Sequence, residues 1–263
     1  MAQINVVIHG VLGKMGREVA NAVCREADLN PVGVADKGAQ PGSYPLPDGS
    51  GSVPLSDSLA DVIGGAHVVV DFSNAEGAMS AIQTTAPHGV NVVIGSTGLS
   101  ESNYQDAENL AQEHHVGIII APNFALGAVL MVHLAKAAAR FFDYAELTEM
   151  HHEAKIDAPS GTALAIARAA AAGKGGSFTA TPAEKELIPG TRGGALEGVS
   201  IHSARMPGRM AHHELVFGTL GQTLTLRHDS INRESFMPGV VMAIREVVKG
   251  PGLTIGLENI MGL

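Results

Sequence analysis

Over its first 120 residues the chain repeats one hydrophobic rhythm: a short run of β-branched apolar residues, a glycine or polar turn, then apolar positions at helical spacing. The runs at residues 4–9, 31–35, 68–72, 90–94 and 117–121 are continuous rather than alternating, which predicts strands covered on both faces, as in a parallel sheet. Residues 13–25, 75–88 and 101–115 are predicted helices, and right-handed crossovers would set them on both sides of that sheet. After Pro122 the rhythm changes. A helix is predicted over 127–141, a strand over 145–151 and a helix over 161–172, followed by a glycine- and proline-rich surface loop over 173–198. Residues 199–205, 213–218 and 223–228 alternate and predict further strands, and 236–249 a closing helix. The fold class expected is α/β: a Rossmann-like parallel-sheet domain plus an α+β domain with an open mixed, largely antiparallel sheet.

Composition narrows the classes of function. With 26 acidic and 17 basic residues the net charge is -9, which argues against nucleic-acid or membrane partners, because both reward a positive face. Cys24 is the only cysteine, so no intrachain disulfide can form, and a reducing cytoplasm is the expected compartment. The segment Met1-Ala2-Gln3-Ile4-Asn5 lacks the basic stretch and apolar core of a signal peptide, and no later apolar run reaches membrane-spanning length. A soluble, unprocessed protein is expected.

Gly10-Val11-Leu12-Gly13-Lys14-Met15-Gly16 directly follows the first predicted strand and opens a helix. Gly10 would permit a tight turn, Gly13 would let backbone amides approach a pyrophosphate, and Gly16 would let helix and strand pack closely. The spacing departs from the commonest dinucleotide fingerprint, since Leu12 holds its second glycine position. Asp36 ends the second strand, where a carboxylate would meet ribose hydroxyls, and Lys37 beside it could pair with a 2'-phosphate. NADH and NADPH both fit that pair; an ordinary glycine turn with an acid at a strand end is the competing reading. Gly95-Ser96-Thr97-Gly98 and Ala121-Pro122-Asn123-Phe124 also fall at strand ends, where open α/β sheets bind ligands, although taken alone both read as ordinary loops.

The densest chemistry lies in Glu149-Met150-His151-His152-Glu153-Ala154-Lys155-Ile156-Asp157-Ala158-Pro159-Ser160-Gly161-Thr162-Ala163. His151 can deliver a proton, and Lys155 supplies a cation or a second donor. Ser160, Gly161 and Thr162 open a helix and form a natural carboxylate receptor, so the set suits a small dianion. No metal is expected: the zinc pattern HExxH would need histidine at 156 and finds Ile156. His212, His213 and Glu214 could also suggest a metal, but surface or interface packing is expected of them.

The run His151-His152-x-x-Lys155-x-Asp157-Ala158-Pro159-Ser160-Gly161-Thr162-Ala163 resembles the signature of the dihydrodipicolinate reductases of lysine and diaminopimelate biosynthesis. The likeness extends to Gly10-x-x-Gly13-Lys14-Met15-Gly16, Gly95-Ser96-Thr97-Gly98, Asn123-Phe124 and the segment from Arg227 to Val240. It implies a dinucleotide-binding domain from residues 1–122 and 234–263, with a substrate and oligomerisation domain from 123–233. It further implies NADH- or NADPH-dependent reduction of 4-hydroxy-tetrahydrodipicolinate, a cyclic imine-type dianion, to tetrahydrodipicolinate with loss of water, in a homotetramer. By the same resemblance His151 is the acid/base residue, Lys155 a proton donor, and His152, Gly161 and Thr162 bind substrate carboxylates. Gly10, Val11, Leu12, Gly13, Lys14, Met15, Asp36, Lys37, Gly95, Ser96, Thr97, Ala121, Pro122, Asn123 and Phe124 would bind cofactor. Ser96, His9 and Met150 depart from the commonest residues of the pattern. Two other readings stand beside it: a dehydrogenase of another amino or hydroxy acid, which would lack the 151–163 motif, and a nicotinamide-binding sensor without turnover.

Overall fold

The computed structural model describes residues 3–263; Met1 and Ala2, on which the readings of the amino terminus and of the first domain begin, lie outside the described residues. Two compact units are present. One comprises the chain up to Phe124 together with Phe236–Leu263, the other Ala125–Ser235.

The first unit is built on strands β1 (Ile4–His9), β2 (Leu29–Ala35), β3 (Gly42–Pro45), β4 (Ser52–Ser56), β5 (Val68–Asp71), β6 (Asn91–Ile94) and β7 (Gly117–Ile120). With β13 (Gly252–Ile255) they form one sheet in the order β13-β7-β6-β5-β1-β2-β4-β3, parallel except for the β3–β4 pair. β5 and β7 are buried at every residue, the reason their sequences show no alternation. Helices α1 (Lys14–Arg25), α2 (Ala75–Thr85) and α3 (Glu101–His114) follow β1, β5 and β6. α2 and α3 bury Ala78, Ile82, Ala107 and Ala111 against Val92, Ile94, Ile118 and Ile120 of β6 and β7.

The strand reading starting at Pro31 is two residues late. Pro31 is tolerated because it sits beside an irregularity in the β1–β2 register, between Val6 and Val7, and because β4 pairs only with Val34 and Ala35. β3, β4 and β13 escape the hydrophobic pattern: β3, at the sheet's edge, and β4 beside it carry Pro45 and Pro54, and β13 has no continuous apolar run. The returning carboxyl-terminal segment supplies α6 (Met237–Val247), β13 and α7 (Leu257–Met261). Arg245 on α6 fastens it to the residues after α1, donating from Nε to Asp28 Oδ2 at 2.8 Å and from Nη2 to Glu26 Oε2 at 2.6 Å.

The second unit contains α4 (Leu126–Ala139), β8 (Tyr144–His151), α5 (Gly161–Lys174), β9 (Gly194–Leu196), β10 (Val199–Arg205), β11 (Ala211–Thr219) and β12 (Gln222–Ser230). Its sheet runs β12-β11-β8-β10-β9 and is antiparallel except that β10 lies parallel to β8. The long loop after α5 therefore contains a short strand, β9, at its end. Alternation in β8 buries Ala145, Leu147, Glu149 and His151 on one face. Ala145 and Leu147 join a core made with Met131 and Ala135 of α4, Ile166 and Ala170 of α5, and Leu215 and Phe217 of β11. The same inner face then turns polar at the carboxyl end of β8. Among the described residues no helix is long and apolar enough to cross a membrane.

Candidate active site

In the first unit the glycine segment forms a tight turn directly after β1. Gly10 has φ +83, and a Cβ there would stand 2.9 Å from the Phe72 carbonyl oxygen. A Cβ on Gly16 would stand 2.1 Å from the Gly10 oxygen, so only glycine lets α1 rise this close to the turn. Gly13 precedes the helix without a side-chain cap, and Lys14 and Met15 form its first residues. The first-turn amides are thus left to an external acceptor.

A cleft of about 780 Å³ opens over this turn, with Gly10, Leu12, Gly13, Asp36 and Lys37 in its wall. The Leu12 amide donates to Asp36 Oδ2 at 2.8 Å, which fixes the carboxylate beside the loop. Val11 has its side chain fully buried, so only its backbone is available to a ligand. The wall also includes residues that the sequence pattern did not single out, among them Asp57, Ser73, Asn74 and Glu76. Asn74 caps α2 by accepting from the Gly77 amide at 2.9 Å, a signal visible in the sequence as an Asn before a helical stretch.

Gly95, Ser96 and Thr97 follow β6, and Ala121, Pro122, Asn123 and Phe124 follow β7; neither segment belongs to the wall of that cleft. Ser96 Oγ donates at 2.5 Å to Asp71, a fully buried carboxylate that also accepts from Ser73 Oγ and pairs with His9 Nδ1, each at 2.7 Å. His9, the bulky residue before Gly10, is therefore matched by this carboxylate at the end of β5. Phe124 is buried and packs tilted against Phe72, ring centres 5.7 Å apart.

In the second unit the strand register assembles a cluster that sequence spacing does not reveal. Glu149 lies opposite Ser203 on β10 and His213 on β11, and His151 lies opposite Arg205 on β10. Glu149 is fully buried and hydrogen-bonds His151 Nδ1 through Oε2, while Arg205 Nη2 donates to its Oε1 at 2.8 Å. Burial pushes the Glu149 carboxyl up, but hydrogen bonds from His151, Arg205 and Ser203 outweigh it and bring it down to about 2. An ionised carboxylate only accepts, so His151 carries a proton on Nδ1, leaving Nε2 as the nitrogen for exchange. Arg205 Nη2 also donates to the Asp157 carbonyl at 2.6 Å, tying the 152–160 loop to the cluster.

In that loop Lys155 Nζ donates to Asp157 Oδ1 at 2.7 Å, and His152 is half-buried. Ser160 caps α5, accepting from the Ala163 amide at 3.1 Å. Gly161 is exposed, with nothing within 4 Å of where a Cβ would stand, and Thr162 follows it in the helix's first turn. A carboxylate has room to approach those amides.

Surface or interface packing fails for His213, which the inward parity of β11 buries with Leu215 and Phe217. Desolvation, and then the charge of His151, lower its pKa to about 4. Ser160 Oγ lies 3.2 Å from its Nε2, within hydrogen-bonding distance, and its Nδ1 is buried without a partner. Glu149, His151 and His213 offer ligand atoms within 4.8 Å of one another, a possible metal set that the sequence did not suggest. A divalent cation would displace the proton between Glu149 and His151 and face the Arg205 guanidinium; the arrangement suits a proton better.

A glycine cradle with a carboxylate fixed beside it is the equipment of dinucleotide-binding α/β proteins, and the second unit adds a buried acid–base cluster to that class. Residues 4–124 match the family model described as dihydrodipicolinate reductase, N-terminus, and residues 127–261 match dihydrodipicolinate reductase, C-terminus. The chain belongs to the dihydrodipicolinate reductase family. It is 49% identical to the 4-hydroxy-tetrahydrodipicolinate reductase of Dehalococcoides mccartyi over 100% of both chains, and 42% identical to that of Moorella thermoacetica over 99% of each. Among solved structures, a dipicolinate-bound dihydrodipicolinate reductase from Paenisporosarcina sp. TG-14 superposes with a TM-score of 0.86 at 37% identity, covering 98% of this chain and 99% of that one.

Proposed function

We infer that this chain reduces 4-hydroxy-tetrahydrodipicolinate to tetrahydrodipicolinate with loss of water, oxidising NADH or NADPH, in lysine and diaminopimelate biosynthesis. The observation that carries the reading is the Glu149–His151–Arg205 cluster at the mouth of the 151–163 motif, in a chain matching the family from end to end. The cofactor's fit rests on the cradle at Gly10 and Gly16, which any Cβ would fill, and on Asp36 held by the Leu12 amide. Gly10 to Met15, Asp36 and Lys37 hold its phosphates and ribose, and Gly95 to Thr97 and Ala121 to Phe124 its nicotinamide half. The bound dinucleotide supplies the hydride.

Hydride addition to a conjugated imine leaves an electron-rich atom that takes a proton. His151 delivers it from Nε2 while Glu149 stabilises the ring's charged form through Nδ1. Lys155 supplies positive charge against the developing negative charge and a second donor. His152, Gly161 and Thr162 receive substrate carboxylates, orienting the ring. The dipicolinate ligand in the Paenisporosarcina relative is a planar dicarboxylate, in keeping with a site of this chemistry. The first unit and the returning carboxyl-terminal segment form the cofactor domain. The second unit binds substrate and supports a homotetramer in the cytoplasm, a role favoured by its largely exposed edge strand β12.

The test is oxidation of NADH and of NADPH with substrate generated in situ from pyruvate and aspartate semialdehyde by the preceding synthase. Rapid oxidation that requires the synthase is expected. Folded protein that binds dinucleotide yet oxidises none under these conditions would overturn the assignment in favour of a sensor or another dehydrogenase.

A further inference from the structure

The parallel pairing of β2 with β4 sets a second acid beside the first at the ribose end of the dinucleotide cleft. Val34 and Ala35 pair with Leu55 and Ser56, and the Asp36 amide donates to the Ser56 carbonyl at 3.1 Å. One step further along each strand stand Asp36 and Asp57, neighbours across the sheet's carboxyl edge, and both line the cleft. Asp57 is exposed, whereas Asp36 is half-buried and tethered by the Leu12 amide at 2.8 Å, so moving it aside for an incoming anion would cost that hydrogen bond. Among the described residues of the cleft wall, Lys37 is the one lysine or arginine, against three carboxylates at Asp36, Asp57 and Glu76.

An acid at the end of the second strand marks where the adenosine ribose hydroxyls are received. A free 2'-hydroxyl donates to such a carboxylate; a 2'-phosphate brings two negative charges to the same place. Lys37 compensates one acid and not two. We propose that the Asp36–Asp57 pair selects NADH over NADPH in this chain, Asp36 by accepting from the ribose and Asp57 by repelling the 2'-phosphate. The proposal rests on the nicotinamide-dependent reading and names the cofactor that reading leaves open.

The experiment is a fluorescence titration of the full chain with NADH and with NADPH, for the wild type and for Asp57→Asn, with Asp57→Ser as a second variant. Position 57 is exposed, so both variants should fold. The wild type is expected to bind NADH about tenfold more tightly than NADPH at low salt, and added salt should shrink that ratio because exposed charges are screened. Asp57→Asn and Asp57→Ser should each tighten NADPH roughly three- to tenfold and leave NADH unchanged. Equal affinity for the two dinucleotides, preference for NADPH, or an identical effect of the variants on both would overturn the selection while leaving the reductase reading intact. Binding of neither dinucleotide would overturn both.

Discussion

The two candidate sites are made of different material. The proposed dinucleotide cleft is a backbone device in which Gly10 and Gly16 are required because other atoms occupy the place of a Cβ, beside a helix start that has no side-chain cap. The cluster of the second unit is a side-chain device: Glu149 and His151 from β8, Arg205 from β10, His213 from β11 and Ser160 from the cap of α5. The glycines of the backbone device are close in sequence, whereas the side-chain device depends on register between strands distant in sequence. The first should fail by losing shape, the second by losing protonation.

The largest effect should come from the cradle. Gly16→Ala forces backbone movement at the Gly10 carbonyl and should cost about 3 kcal/mol or more, with dinucleotide binding lost; Gly161→Ala, where a Cβ meets nothing, should change stability by less than about 1 kcal/mol. Chemical denaturation of the two variants checks the contrast, and equal losses would break it. Next in size, Glu149→Gln keeps shape but removes the charge that fixes the His151 tautomer; kcat should fall roughly 10²-fold with dinucleotide affinity unchanged. A variant with normal kcat would remove Glu149 from the proton chemistry.

These differences explain what could be read in advance. The parallel sheet was visible because β5, β6 and β7 carry continuous, almost wholly buried apolar runs, and the glycine turn because its glycines stand at fixed spacing. His151, Lys155, Ser160 and Gly161 were visible because they crowd one loop and one helix start. Arg205 and His213 were not, since nothing in the chain between 151 and 213 states that β10 runs parallel to β8 while β11 runs antiparallel on its other side. Parity within β11 was the available signal for His213, since Leu215 and Phe217 share its face. β13 left no trace because its residues, Gly252-Leu253-Thr254-Ile255, make no continuous apolar run and none of them is buried.

A pH titration of stability separates the cluster from the cradle further. His213, with a folded pKa of about 4 against 6.5 ordinarily, takes up its proton more readily in the unfolded chain. Stability should be intact above pH 6.5 and decline as pH falls towards 4, by up to about 3 kcal/mol. Glu149 acts in the next window, contributing fully above pH 4.5 and losing that contribution as pH falls through about 2. Thermal melts of His213→Gln should show a smaller decline between pH 6.5 and 4, the remainder coming from His228, whose burial also lowers its pKa; an unchanged profile would remove His213 as a source. The smallest effect belongs to the cleft's rim, where Lys37→Ala should weaken NADPH binding several-fold, more than NADH, by removing the one lysine or arginine among the described residues of the cleft wall. Equal effects on both dinucleotides, read by titration, would take Lys37 out of the 2'-phosphate site.

The division of labour between a binding unit and a proton-delivering unit is tested most directly with His151→Ala, measuring synthase-coupled dinucleotide oxidation and dinucleotide affinity on the same preparation. The predicted result is turnover reduced about 10²-fold or more, with the dissociation constant within about twofold of the wild type. Unchanged turnover, or affinity falling in step with it, would contradict the account.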